Sequence, residues 1–402
     1  MVCVKRDGSN HDFKKDPIEI VYEDGSIHAK DTSLGADNGI AIASIMTLFE
    51  DKELAHGPLE ALFTVSEETG LNGAFGLDSS NIHSRLLLNL DSEEEGVIYT
   101  GCAGGIEIDT EKKAKLKSVP SSWISFTLSV SGLLGGHSGA EIHRERANAI
   151  KLIARALHRL PEFMLVDING GSRRNVIPSS ASVTFVTDKK NKETVESVIS
   201  QLEKDVKNEY KIQDPNIRFT LIEGKAPEEA IKAKTSSSFI EALYLAPHGV
   251  QAMSMAIPGV VETSNNLAIV KMEEGKLKAI SSTRSLIESA KHETAYRVGA
   301  AFEDMGIKVV YNGDYPSWQP NPSSAFTKEV VAMYKSFTKK KPVVTCIHAG
   351  LECGIINSIV DGMDSLSIGP NLFDVHSVNE HIDAASAERM MEFLHYLVSN
   401  LK

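Results

Sequence analysis

In the first quarter of this chain, apolar runs of five to seven residues stop repeatedly at acidic side chains. Residues 59–65 run into Glu67 and Glu68, residues 86–90 run into Asp91, and Asp37 lies in Leu34-Gly-Ala-Asp-Asn-Gly-Ile40. Runs of this length read as buried strands, and a carboxylate at a strand's C-terminal end points into the crevice where open α/β sheets hold ligands. Carboxylates collected there repel one another unless a positive partner sits among them, and the usual partner is a metal ion. A hydrolase is the first reaction class this suggests.

The length of 402 residues exceeds one ordinary core, so two domains are expected. A formal charge of −12 repels phosphate backbones and anionic lipid, which argues against nucleic-acid and membrane partners. The longest apolar run, 39–49, is too short to span a bilayer, and the first residues show no apolar signal region. The four cysteines (Cys3, Cys102, Cys346, Cys353) have no C-x-x-C spacing, which suits a reducing, cytoplasmic setting.

The first hundred residues alternate strand and helix, as a mostly parallel sheet requires. Apolar positions Ile40, Ala43, Ile45, Met46 and Phe49 recur at helical spacing, with Asp37-Asn38 as a plausible cap. The Lys/Ser/Pro-rich stretch 112–122 reads as a linker. Beyond it, 123–130 alternates like a half-buried antiparallel strand, and helices are expected over 145–157, 192–209, 237–246 and 289–305. The organisation expected is an α/β catalytic domain over 1–106 and 313–402, interrupted by an α+β lid domain with antiparallel strands over 107–312.

His376, in Gly369-Pro-Asn-Leu-Phe-Asp-Val-His-Ser, is a natural partner for the acids. Carboxylates with one imidazole form an oxygen/nitrogen ligand set that suits Zn²⁺, Mn²⁺ or Co²⁺. Adjacent Glu67 and Glu68 allow one to bind metal while the other stays free as a general base. Taken singly, each acid also reads as a helix cap or a solvated turn residue, and of 91–95 only Asp91 is credited as a ligand. Gly135-Gly-His-Ser-Gly139 presents His137 from a tight turn, and His348-Ala-Gly-Leu-Glu-Cys-Gly354 places Glu352 beside a pocket. Arg284 can fork onto a substrate carboxylate, with Asn175 in the same segment; a surface ion pair is the blander reading. The sequence has no Walker loop, G-x-S-x-G elbow or H-E-x-x-H helix.

Taken in order, Leu34-Gly-Ala-Asp-Asn-Gly, Ser66-Glu-Glu-Thr-Gly, Asn89-Leu-Asp-Ser-Glu-Glu-Glu-Gly, Gly135-Gly-His-Ser-Gly, Arg174-Asn-Val-Ile-Pro, His348-Ala-Gly-Leu-Glu-Cys-Gly and Gly369-Pro…His376-Ser resemble the M20 metallopeptidases, in the aminoacyl-histidine dipeptidase branch. The resemblance implies two divalent ions, Asp37 shared by both, Asp91 on the first, and Glu68 and His376 on the second. It implies Glu67 as general base, His137 as oxyanion donor, and Asn175, Arg284 and Glu352 around a dipeptide substrate, Xaa-His or broader. It also implies a homodimer through the lid domain. Met1-Val2 match the residues that follow the family's His-x-Asp motif, so the histidine of the first metal is expected before residue 1. Two further readings remain open: an inactive remnant that binds peptide or a subunit, and an M20 deacylase or aminopeptidase.

Overall fold

The computed structural model describes residues 1–401, which divide into two compact units: residues 1–102 with 316–401, and residues 103–315. In the first unit, four strands lie in the order Val343–Ile347, Val97–Cys102, Asp364–Ser367, Leu86–Asn89. The two outer pairings are parallel and the central one antiparallel. Helices Ala36–Glu50, Ala325–Thr338 and Ala384–Asn400 bury apolar stripes here: Ala41 and Leu48, Phe326 and Val330, and Met390, Leu394 and Leu397 share one core with Ile98 and Leu366. Asp383 caps the last helix by accepting the Ser386 N–H, as its position before the apolar stripe implied. A second, antiparallel sheet starts with the hairpin Ile20–Glu23 and Ser26–Ala29, turned at Asp24-Gly25 with both φ positive.

Two expectations fail in this unit. Residues 59–65, apolar enough for a strand, form none, because a strand exists only where a neighbour takes its N–H and C=O groups. Asp37 does not cap a helix. Gly35 holds the cap position, while Asp37 and Asn38 have non-helical backbones and are joined by a cis peptide.

The second unit is built on a nine-stranded antiparallel sheet. Its main path runs Arg218–Gly224, Trp123–Ser131, Ala181–Asp188, Met164–Gly170, Val261–Glu273, Lys276–Ser285, Gly104–Lys113, Lys308–Tyr315. Alternation decides which residues face inward: Phe126, Leu128 and Val130, then Val183 and Phe185, join the core of Ile150, Ile153 and Leu157 from helix Ala149–His158. Helix Lys192–Glu209 contributes Val195, Ile199, Leu202 and Val206, one helical face. The stretch expected as a linker, 112–122, is partly sheet: Lys112 and Lys113 close one strand and 116–118 form another. Gly104–Lys113 alternates buried and half-buried residues and pairs on both edges, and Leu116–Ser118 pairs with Glu229–Ile231. Exposed Lys113 and Lys115 flank the buried Ala114, whereas all of 116–118 is exposed.

Candidate active site

The chain from Ser66, in the left-handed region, enters a single turn of 3₁₀ helix, Glu67–Thr69, that carries both glutamates. His376 is also left-handed, at φ 61, a backbone that a non-glycine residue adopts only under constraint. Gly369 makes that loop possible: a Cβ there would lie 1.6 Å from the Ser92 carbonyl oxygen. His376 Nε2 lies 2.9 Å from Asp37 Oδ2 and 2.9 Å from Glu68 Oε1. Asp91, at the end of strand Leu86–Asn89, accepts from Asn38 Nδ2 at 2.9 Å.

Negative charge outruns positive charge at this point. Burial and then Glu68, Glu352 and Asp37 push the Glu67 carboxyl up to about 7, against His376. Burial, with Asp37 and Glu67 next in weight, pushes Asp91 up to about 8. Glu68 is raised by burial and by Asp37. Burial opposes the His376 imidazolium, but the Glu68 and Asp37 carboxylates outweigh it and raise its pKa. Carboxyl groups crowded together in this way form a setting that favours a bound cation.

The donor set fits a divalent metal: the ligand atoms of Asp37, Glu68 and His376 all lie within 4.8 Å of one another. Two carboxylates and an imidazole are oxygen/nitrogen chemistry, with no thiolate among them. A second cluster in the other unit, Glu288, His292 and Asp314, meets the same spacing. There the cation is already present. The fully buried Lys291 places Nζ 2.7 Å from Glu288 and 2.6 Å from Asp314, and donates to the Tyr315 carbonyl.

Of the residues expected at a site, Asp37, Glu67, Glu68, Asp91 and Glu352 line one cavity of about 910 Å³ in the first unit, and His376 joins them through its contacts. Glu352 is buried. Its Oε2 accepts from Thr64 Oγ1 at 2.7 Å, and its Oε1 has no hydrogen-bond partner among the described residues.

His137, Asn175 and Arg284 belong to the second unit. Gly136–His137 pairs with Val176–Ile177, and Ser138 N–H donates to the Asn175 carbonyl. His137 Nδ1 accepts from the Ala140 and Gly139 N–H groups, so the proton of the neutral ring sits on Nε2. Burial and the Arg284 charge depress the His137 pKa and keep the ring neutral. Arg284 donates from Nη1 to the Tyr315 hydroxyl, and its buried Nε has no partner among the described residues.

Sequence reasoning missed Glu380 and Asn38. The buried Glu380 accepts from the Gly35 and Asp37 N–H groups at 3.0 and 3.2 Å, fixing the Asp37 backbone. No spacing links positions 343 residues apart. Glu93, set aside as surface, is in the field of the cluster: partial desolvation and Asp37 raise its pKa.

Residues 128–214 match the family described as Peptidase dimerisation domain. The whole chain is 37% identical over 404 residues to the cytosol non-specific dipeptidase of Escherichia coli K12, of which it covers 83%. The structure superposes on aminoacylhistidine dipeptidase from Vibrio alginolyticus with TM-score 0.93 and 35% identity, covering all of this chain and 83% of that one. An aminopeptidase from Bacillus cereus, at 16% identity and TM-score 0.51, covering 95% of this chain and 76% of that one, shares the fold.

Proposed function

Since this chain belongs to the M20 family of metallopeptidases, in the aminoacylhistidine dipeptidase branch, we propose that it hydrolyses dipeptides, Xaa-His among them, with Glu67 as general base. The observation that carries this reading is the cluster of Asp37, Glu68 and His376 beside two acids held protonatable near neutral pH. Asp37, Glu68 and His376 would hold one divalent ion, and Asp37 with Asp91 a second. Bound there, the ions would acidify water and polarise the scissile carbonyl.

Glu67 suits proton transfer because a base works best when its pKa lies near the working pH. It takes the proton of the attacking water on its carboxylate and delivers it to the leaving amine. Neutral His137, whose Nδ1 is taken by two backbone N–H groups, would offer its Nε2–H to the developing oxyanion. Arg284, with an unused Nε–H, receives the substrate carboxylate together with Asn175. The unpaired Glu352 Oε1 accepts from a substrate N–H donor. The dimerisation domain supports a homodimer, checked by analytical ultracentrifugation, and the named relative supports a cytosolic setting. Among the described residues, no helix is long and apolar enough to cross a membrane.

The test is a panel of dipeptides, tripeptides and acylated amino acids, assayed after loading with Zn²⁺, Mn²⁺ or Co²⁺. Turnover confined to dipeptides supports the proposal, and turnover confined to acylated amino acids replaces it with a deacylase. A peptide-binding role is the alternative of a different class. Metal binding with no turnover of any substrate in the panel would select that role.

A further inference from the structure

The segment that carries His137 is closed at its base by a carboxylate. The buried Asp214 accepts from the Leu134 N–H through Oδ1 at 2.6 Å and from the Ala147 N–H through Oδ2 at 2.7 Å. Both ends of residues 134–147 are thereby held at one side chain, as in a compact loop that closes on itself. Asp214 fixes the ends but not the interior. Gly135 and Gly136 both have positive φ, at 64° and 129°, a region that glycine enters and leaves without steric cost.

Two side chains inside the loop remove that freedom. Glu141 Oε2 accepts from the His137 N–H at 3.0 Å, and the Glu141 N–H donates to the His137 carbonyl at 2.9 Å. Arg146, next to the tethered Ala147, reaches back across the loop: its Nη1 donates to the Gly135 carbonyl and its Nη2 lies 3.2 Å from Glu141 Oε1. A Cβ on Gly136 would meet both side chains, 2.5 Å from Glu141 Oε2 and 2.6 Å from Arg146 Nη1. The Arg146 side chain is only 12% exposed, so this is not a solvated surface pair. Arg144 also reaches Glu141 Oε1, at 3.0 Å, but at 53% exposed its contact counts for little. The His137 N–H, and behind it the Arg146 and Arg144 charges, hold the Glu141 carboxyl below its usual range.

The donors and acceptors of His137 show what this clamp does. Its N–H and C=O are both bonded to Glu141, and its Nδ1 takes the Gly139 and Ala140 N–H groups. Those two N–H groups lie on the turn between His137 and Glu141. The tautomer of the ring therefore depends on the shape that the Glu141 carboxylate gives this turn. We propose that Glu141 and Arg146 are positioning residues: through the turn, they hold the His137 ring in one place as the Nε2–H tautomer. The kinetic consequence rests on the reading of His137 as oxyanion donor.

The test uses the full chain with isotope-labelled histidine, by NMR before metal loading and by steady-state kinetics after loading with Zn²⁺. The His137 ring signal is identified by its loss in His137→Ala. The unaltered chain should show the Nε2–H tautomer, and Glu141→Ala and Arg146→Met should shift the ring toward the Nδ1–H form. Each should lower kcat about 10–10²-fold, less than losing the donor outright, with KM changed less than about twofold. The double variant should lose about as much as the worse single one, since both side chains act on one turn. Glu141→Gln, which keeps an acceptor for the His137 N–H, should recover most of the loss. Where Glu141→Ala does not fold, Arg146→Met, which leaves that acceptor in place, decides alone. An unchanged ring signal overturns the proposal, and so do losses that multiply in the double variant or fall in KM alone. Full kcat in His137→Ala would sink the oxyanion reading and not the clamp, which the ring signal tests by itself.

Discussion

Each of the two units brings two carboxylates and a histidine to within metal-binding reach, yet the clusters are opposites. In Glu288, His292 and Asp314 the charge is closed by Lys291, a side chain with no exposure, held by both acids and a carbonyl. In Asp37, Glu68 and His376 the positive group bonded to the acids is an exposed imidazole, and the surrounding acids move upward in pKa. The same habit runs through the second unit. Lys151 donates to the carbonyls of Leu243, Tyr244 and Ala246 at the end of helix Ala233–Leu245, and Asp214 accepts from the Leu134 and Ala147 N–H groups. Residue types and spacing do not separate a metal site from a structural ion cluster; a resident cation does.

The largest effect that would break this contrast is at Glu67. If the surplus negative charge serves chemistry, Glu67→Gln should lower kcat by about 10²–10⁴-fold while divalent-metal content, read by atomic emission, stays unchanged. Full activity in the variant would reduce the first cluster to another structural arrangement.

Lys291→Met attacks the contrast from the other side. Glu288 and Asp314 are nearly half exposed, so the loss is discounted from that of a fully buried pair, to about 2–3 kcal/mol in chemical denaturation. With the ammonium gone, two carboxylates and an imidazole remain within metal-binding reach, and Zn²⁺ should recover part of that stability. Unchanged stability, or no response to Zn²⁺, would mean that Lys291 is not what sets the clusters apart.

Arg284 is the second unit's exception, a guanidinium with an unused buried Nε–H. Arg284→Met should cost about 1.5–3 kcal/mol in kcat/KM, the range for a hydrogen bond to a charged group. Most of the loss should fall in KM if the group holds a substrate carboxylate. A loss confined to kcat would place Arg284 with His137 instead.

The contrast explains what was legible in the sequence. Asp37, Glu67, Glu68 and His376 could be found because each follows an apolar run or sits in a Gly/Pro loop, and both are local signals. The strand–helix alternation and the cap at Asp383 were readable for the same reason. Lys291 was invisible: at three residues from Glu288 on a helix it looks like an exposed pair, and its burial depends on Asp314 and Tyr315 from a distant strand. Glu380 was hidden by the 343 residues between it and Asp37. Residues 59–65 misled because an apolar run states only a readiness to pair, and the neighbour is not in the run itself.

The smallest effect, and the finest test, is the sign of the pH dependence in the metal-free protein. In the first unit Glu67 and Asp91 have folded pKa values near 7 and 8, above their unfolded values, so the native state holds protons that the unfolded state releases. Stability of that unit should therefore rise as pH falls from about 7 toward about 5. In the second unit His248 Nδ1 accepts from the Leu267 N–H, and burial and then the Lys151 charge press its pKa well below the usual imidazole range. Below about pH 6.5 the unfolded chain takes a proton that the native ring refuses, so this group removes up to about 1.4 kcal/mol per pH unit. Amide exchange, corrected for its intrinsic pH dependence, should show the units moving in opposite directions between pH 6.5 and 5, roughly the window where both linkages act. His248→Gln, which stays neutral, should flatten the second slope and leave the first alone. Two parallel slopes would show that the units do not differ in how they hold charge, and the contrast between their clusters would fall with that result.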